Sequence, residues 1–381
     1  MSSNNAVKRD ISKRDVSLDI IRCAAFFLVA TVHSFLNGGY YLEPVSGKAM
    51  YLLTAVCSNA MICVPLFILL SGYLMPQKKV EKKYYFGIIK TLGIYVIAGA
   101  LCLAYRIFVN ASEFTRGELV LQFLGFSAAP YAWYIEMYIG LFLLIPFLNL
   151  IYNGLKTKGQ KQVLILTMFI VVNLPPIFNT FDVFNPGFWA DPTSSMSFRQ
   201  LMPDWWVGIY PVSYYFVGCY LREFGIKLRM RYRVLLYALS FAAVGIYNCY
   251  RFKGITFFSS SFNYYESLLV MIPAVLFFSI LKDIRYPNFP APLRRFIASC
   301  SELTLGAYLI SYIFDDFFYK KLGAAVPVFR ERVLYFPLAI LAVFVCSLAA
   351  SFVMNLIYAL VAKLCSAIKG LLTKKKSTET K

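Results

Sequence analysis

Apolar residues run through the chain in blocks of roughly 20, the length a helix rising about 1.5 Å per residue needs to cross bilayer hydrocarbon, and short polar segments separate the blocks. This pattern predicts helices near residues 18–36, 49–75, 84–108, 131–152, 161–180, 206–222, 232–250, 264–281, 296–319 and 333–362. Ten crossings return the chain to the side on which it starts. Two outer segments are longer than simple connections. Residues 109–130 contain ELVLQFLGFSAAP, too short to span and expected as an interfacial or re-entrant helix. Residues 181–205 mix Pro, Gly, aromatics and three aspartates, which suits an ordered exterior loop. No internal repeat and no matched pair of interrupted helices is visible. The organisation read from the pattern is an N-terminal segment over 1–17, a transmembrane domain over 18–362, and a basic tail over 363–381 expected as a disordered end.

Composition sharpens this into an all-α polytopic membrane protein: 59% of the residues are hydrophobic and only 15% charged, outside the range of soluble domains. Charge then orients it. With the N-terminus inside, 26 of the 38 Lys and Arg fall in cytoplasmic segments and 9 on the opposite side, as the positive-inside rule requires. Both termini are therefore expected in the cytoplasm. The formal charge of +19 is accounted for by orientation, so the expected partner is the lipid bilayer and no nucleic acid is implied. The first 17 residues are polar and the following apolar run lacks a small-residue cleavage site, so the first helix is expected to stay. Nine cysteines lie scattered without a CxxC pair or a His or carboxylate cluster at ligand spacing; no metal site is expected.

One apolar stretch carries groups that do not belong in lipid. LDIIRCAAFFLVATVHSF, residues 18–35, contains Asp19, Arg22 and His33, the last being the only histidine. A charge at bilayer depth costs about 2.5 to 3.5 kcal/mol on insertion scales, so such residues face protein or a cavity. On a helix the eleven residues from Arg22 to His33 turn roughly 1100° and rise about 16 Å, which puts both on one face. Asp19 is three residues before Arg22, at ion-pair spacing. A bland reading makes Asp19 and Arg22 an interfacial anchor and His33 a helix-packing group.

The wider pattern weighs against the bland reading. R-CAAFFLVATV-H preceded by LD, then FILLSGYLM, WYIEMYIGLFLLIP and TLGAYLISY in that order, resemble the acyltransferase 3 family of membrane O-acyltransferases over about residues 16–360. The resemblance implies a ten-helix core and transfer of an acyl group, commonly acetyl, from cytoplasmic acetyl-CoA or another acyl-CoA to a hydroxyl of a cell-surface glycan or lipid-linked sugar. It matches His33 to the family's catalytic histidine and Arg22 to its associated arginine. It also implies a multi-pass protein of the cell membrane, the bacterial inner or plasma membrane. The chain departs twice. A second histidine often found after Tyr-Leu is replaced, since Tyr308 and Leu309 are followed by Ile310 and Ser311. Two arginines at the start of the third helix are missing from KKYYFGIIKTLG, leaving Lys82, Lys83 and Lys90 to meet phosphates.

The residues themselves support such chemistry. Thioester-to-alcohol transfer needs a base working near neutral pH, the range of imidazole, so His33 is the candidate base or a transient carrier of the acyl group. Donors facing the developing oxyanion are a second need. Ser71 and Tyr73 are assigned to the donor side, and Trp133, Tyr134 and Tyr308 to the acceptor or oxyanion, although packing explains the aromatics as well. Phosphates need cations, which Lys82, Lys83, Lys90 and Arg22 offer; topology alone also explains the lysines. Glu136, a carboxylate in the fourth apolar block, is expected to orient His33, to accept a hydroxyl of the acceptor sugar, or to pair structurally, for example with Arg106. Trp189, Trp205 and Trp206 with Asp182, Asp191 and Asp204 suit sugar rings, and equally an interfacial belt. The rival reading is a transporter or flippase using Asp19, Arg22, His33 and Glu136 as a relay.

Overall fold

The computed structural model describes residues 14–193, 198–284, 286 and 289–378, with side chains through 368. Most of the 1–17 segment, including Lys8, Arg9 and Lys13, and the side chains of the last thirteen residues lie outside the described residues. The main helices are α1 (Val16–Asn37), α2 (Gly47–Ala60), α3 (Cys63–Leu74), α4 (Ile89–Phe108), α5 (Arg116–Leu124), α6 (Trp133–Gly154), α7 (Lys158–Met168), α8 (Tyr210–Phe224), α9 (Met230–Arg251), α10 (Leu268–Asp283), α11 (Ala291–Ala325) and α12 (Phe336–Thr378). No strand occurs among the described residues.

Nine helical stretches among the described residues are long and apolar enough to cross a membrane. The expected sixth span is α8, at 15 residues the short one. With its 3-10 lead-in Val207–Ile209 it rises about 28 Å, close to the hydrocarbon thickness of about 30 Å, and it is the segment that separates the ten expected crossings from the nine stretches found. Residues 109–130 hold α5, whose Thr115 and Glu118 form a reciprocal capping box; at about 13 Å it cannot span. At the other end, α12 continues as helix to Thr378, where a disordered end was expected beyond 362. Leu, Ala and Lys there are strong helix formers and no proline interrupts them.

The chain divides into two compact units, one of residues up to 79 with 145–302, the other of 80–144 with 303 onward. In the first, α3 packs on α8, α2 on α9, and α1 on α3 and α10. Glycines make the α3–α8 approach possible: a Cβ on Gly72 would lie 2.1 Å from the Tyr215 carbonyl oxygen, and one on Gly218 would lie 2.4 Å from that of Leu69. The α2–α3 rod breaks at Met61–Ile62, where Pro65 can supply no N–H to the carbonyl four residues earlier. Beyond α7 the helix widens into a π segment, Phe169–Asn173, before Pro175 and Pro176. In the second unit α4 packs on α12, and Tyr84 donates to the Phe142 carbonyl at 2.6 Å.

Candidate active site

The charged end of α1 is assembled from several segments of the first unit. Asp15 caps the helix by accepting from the Ser17 N–H at 3.1 Å, the preference of a short acceptor for the orphan amides of a first turn. One turn on, Asp19 is 1% exposed and takes both arms of Arg14 at 2.7 Å each. Ser301 on α11 donates to the same carboxylate at 2.7 Å. Arg22 reaches Asp19 Oδ1 at 3.1 Å and Ser301 Oγ at 3.4 Å, in both cases through Nη1. The spacing-based pairing of Asp19 with Arg22 is therefore present. Arg14, Ser301 and Glu302, which pairs with Arg14, are additions that sequence spacing does not reveal.

The electrostatics follow from these contacts. Partial burial pulls the Arg14 guanidinium down, but its hydrogen bonds and charge interactions with Asp19 and Glu302 outweigh this and hold it above its ordinary value. Burial pushes Asp15 up, while bonds from Ser17 and Lys282 and the Lys282 charge outweigh it and set the carboxyl lower than usual. Lys282 meets Asp15 at 3.1 Å. Its ammonium also lies 5.7 Å from the centre of the Tyr73 ring, and the Arg222 guanidinium lies 5.9 Å from that ring. Arg222 donates to the Tyr73 carbonyl at 2.8 Å. Four cations, Arg14, Arg22, Arg222 and Lys282, thus gather with three carboxylates around the start of α1 and the end of α3. Arg222 and Lys282 end α8 and α10, where cations complement the helix dipole. In the sequence they look like ordinary loop charges.

Eleven residues along α1, His33 is 8% exposed. Its flanking hydroxyls satisfy themselves locally: Thr31 donates to the Phe27 carbonyl at 3.0 Å and Ser34 to the Thr31 carbonyl at 2.6 Å. Asn37 donates to the His33 carbonyl at 2.9 Å. Ser71 likewise bonds back to the Phe67 carbonyl at 3.0 Å. These side chains close their own helix and carry no charge, so they support a polar face without competing for a proton.

The remaining expected residues belong to the second unit. Lys82, Lys83 and Lys90 are exposed. Trp133, Tyr134 and Tyr308 come together, with ring centres 6.3 Å apart for the first pair and 5.9 Å for the second. The Tyr308 hydroxyl donates to the Tyr131 carbonyl, holding the entry to α6, so its proton is committed. Glu136 is exposed on α6. The Arg106–Glu136 pair is not formed: Arg106 donates to the Gln122 side-chain oxygen at 3.0 Å and the Ser127 carbonyl at 3.3 Å, and lies 4.8 Å from the Phe114 ring centre. The α5 segment returns to the end of α4 and satisfies the guanidinium first.

Of the exterior loop, Asp182 is buried, while Trp189, Trp205 and Trp206 are 58%, 93% and 59% exposed. Asp191 accepts from Thr193, and Asp204 from Gln200. Buried Arg251 lies among Phe188, Phe198 and Phe262, 4.5 Å from the last ring's centre, which pins the loop to the end of α9.

The chain matches no curated protein and no solved structure closely enough to count as a relative. A family model described as an acyltransferase domain matches residues 15–356. That range begins one residue before α1 and takes in the Asp19–Arg22 pair, His33 and every span but the end of α12. The chain is a multi-pass membrane protein with acyltransferase activity, and it belongs to the acyltransferase 3 family.

Proposed function

We propose that this acyltransferase moves an acyl group, commonly acetyl, from cytoplasmic acyl-CoA to a hydroxyl of a cell-surface glycan or lipid-linked sugar in the bacterial inner or plasma membrane. The observation that supports this best is the polarity of α1: an arginine held by a buried carboxylate at one end, and the chain's single imidazole on the same face about 16 Å further on. CoA carries several phosphates and cannot enter hydrocarbon. Arg22, Arg222 and Lys282 suit those phosphates, being cations already held in place by Asp19, the Tyr73 carbonyl and Asp15. Among the described residues Arg22 meets its partners through Nη1 alone, and its other donors suit a ligand.

His33 then acts on the proton. It takes the proton of the acceptor hydroxyl as that oxygen bonds to the thioester carbon, and returns it to sulfur as the carbon–sulfur bond breaks. One C–O bond forms and one C–S bond breaks, leaving ester and free thiol.

The test uses cells lacking the gene, complemented with wild type or His33→Ala, and mass spectra of their surface glycans and lipids. An acyl mark restored by the wild type and missing with a membrane-inserted His33→Ala protein is the expected result. Restoration by His33→Ala would remove His33 from catalysis.

A further inference from the structure

A groove of about 720 Å³ runs between α7, α8, α9 and α10, entirely within the first unit. Its wall is apolar apart from Gln162, Tyr220 and Ser240. Gln162 donates to the Tyr220 hydroxyl at 3.1 Å, so this polar pair marks one end of the groove. Gln162, Ile165, Leu166 and Phe169 supply one side, at the i, i+3, i+4, i+7 spacing of a single helical face. On α9 the wall is built by Leu236, Leu239, Ser240 and Ala243, again one face.

Each of these faces leads to a cation when followed toward the polar end. Lys158 precedes Gln162 by one turn on α7, Arg229 precedes Leu236 by two turns at the start of α9, and Lys227 is next to Ile226, which itself lines the groove. All three are exposed, and none is ion-paired among the described residues. The neighbouring carboxylates are already engaged: Glu223 with Lys161 at 2.6 Å and Asp283 with Arg233 at 2.6 Å. Lys158 also rests 5.6 Å from the Phe224 ring centre, at the boundary between the apolar wall and the charged rim.

Topology explains why cations gather at that end, but it requires no groove on the same helix faces. Packing explains a shallow apolar furrow, but it requires no cations. We propose that the groove is a binding site for an anionic phospholipid, with one acyl chain along the α7–α9 furrow and the headgroup phosphate on Lys158, Lys227 and Arg229. A second copy of the chain fits poorly here, since it brings the same cations and a net charge of +19. An inner-leaflet lipid supplies both the chain and the missing negative charge. The site is independent of the acyl-transfer reading, because no residue assigned to donor or acceptor lines it.

The experiment is native mass spectrometry and thermal unfolding of the full chain in detergent, with phosphatidylglycerol, phosphatidylcholine or inorganic phosphate added. Wild type is expected to retain phosphatidylglycerol about tenfold better than phosphatidylcholine, equivalent to about 1.4 kcal/mol, and to melt higher with it. A Lys158→Gln, Lys227→Gln, Arg229→Gln triple variant should hold both lipids equally. Ala243→Trp, which fills the furrow, should lose both. If the triple variant does not fold, rising salt on the wild type reads the same contribution and must erode the preference. Equal retention of the two lipids by wild type, an unchanged preference in the triple variant, or displacement of the lipid by inorganic phosphate would each overturn the assignment.

Discussion

Asp19 and Arg22 form a 3.1 Å ion pair one turn apart in α1, and the carboxylate of that pair is the more tightly held member, with two bonds from Arg14 and one from Ser301. Asp19→Asn keeps the shape and removes the charge. Breaking a buried pair from one side costs about 3 to 5 kcal/mol. The low end applies, because the Arg14 and Arg22 side chains are 22% and 28% exposed. Thermal unfolding in detergent should show a clear loss, and a variant that melts like wild type would mean the network contributes nothing to stability.

Two glycines make the α3–α8 contact, and each alanine substitution should be costly. A Cβ at Gly72 or Gly218 meets backbone at 2.1 or 2.4 Å, and backbone cannot swing away as a side-chain end can. Overpacking of about 1 to 3 kcal/mol or more is expected for each. The two should fall short of additivity, because the first already forces the helices apart. Gly117→Ala in α5, where nothing lies within 4 Å, is the control and should be neutral or slightly stabilising. Equal melting of all three proteins would show that the helices have room to spare.

Pro146 lies inside α6 and cannot bond the Phe142 carbonyl, the group that Tyr84 reaches at 2.6 Å while stacking on the Phe142 ring at 4.4 Å. Tyr84→Phe removes only the hydroxyl and should cost about 0.6 to 2 kcal/mol, the range for hydrogen bonds inside membranes. In a Pro146→Ala background the helix supplies its own donor, so the same change should cost less. A double-mutant cycle by unfolding measures the difference; zero coupling would mean the tyrosine and the proline are unrelated.

These contacts also show what the linear pattern could and could not reveal. The Asp19–Arg22 pair was legible because it rests on helical spacing alone, as were the long apolar spans. Arg106 is one candidate partner for Glu136 in the sequence because both look like charges at membrane depth. Its actual partner, Gln122, is set by how α5 folds back, a tertiary choice with no local signature. Arg222 and Lys282 were invisible for a different reason: a cation ending a helix has the same sequence appearance whether it serves topology or flanks Tyr73. The length of α8 was obscured by the apolar run that leads into it.

Asp15 gives a pH dependence of definite sign. Its carboxyl is set below the ordinary value of 3.8, so its contribution is complete above about pH 4 and is lost as pH falls through the lower folded value. The group is partly exposed, so the contribution stays within about 1 kcal/mol. Between pH 5 and pH 3 the wild type should lose more stability than Asp15→Asn. A variant with the same acid sensitivity would place the titration elsewhere.

The cations near Tyr73 separate donor recognition from structure most cleanly, because the donor can be shortened. Acyl-pantetheine keeps the thioester and the arm of acyl-CoA but lacks its nucleotide phosphates. Arg222→Gln and Lys282→Gln should raise KM for acyl-CoA about tenfold each, equivalent to about 1.4 kcal/mol, with kcat unchanged and acyl-pantetheine turnover unaffected. Arg22→Ala should weaken acyl-CoA further. Arg22→Lys should recover part of the loss, since an ammonium lacks the planar fork that meets phosphate in two places. Loss of equal size with both donors would assign these side chains to holding the ends of α3, α8 and α10. Selective loss with acyl-CoA places the phosphates at the charged end of α1, and leaves the arm to carry the thioester along the same helix to His33.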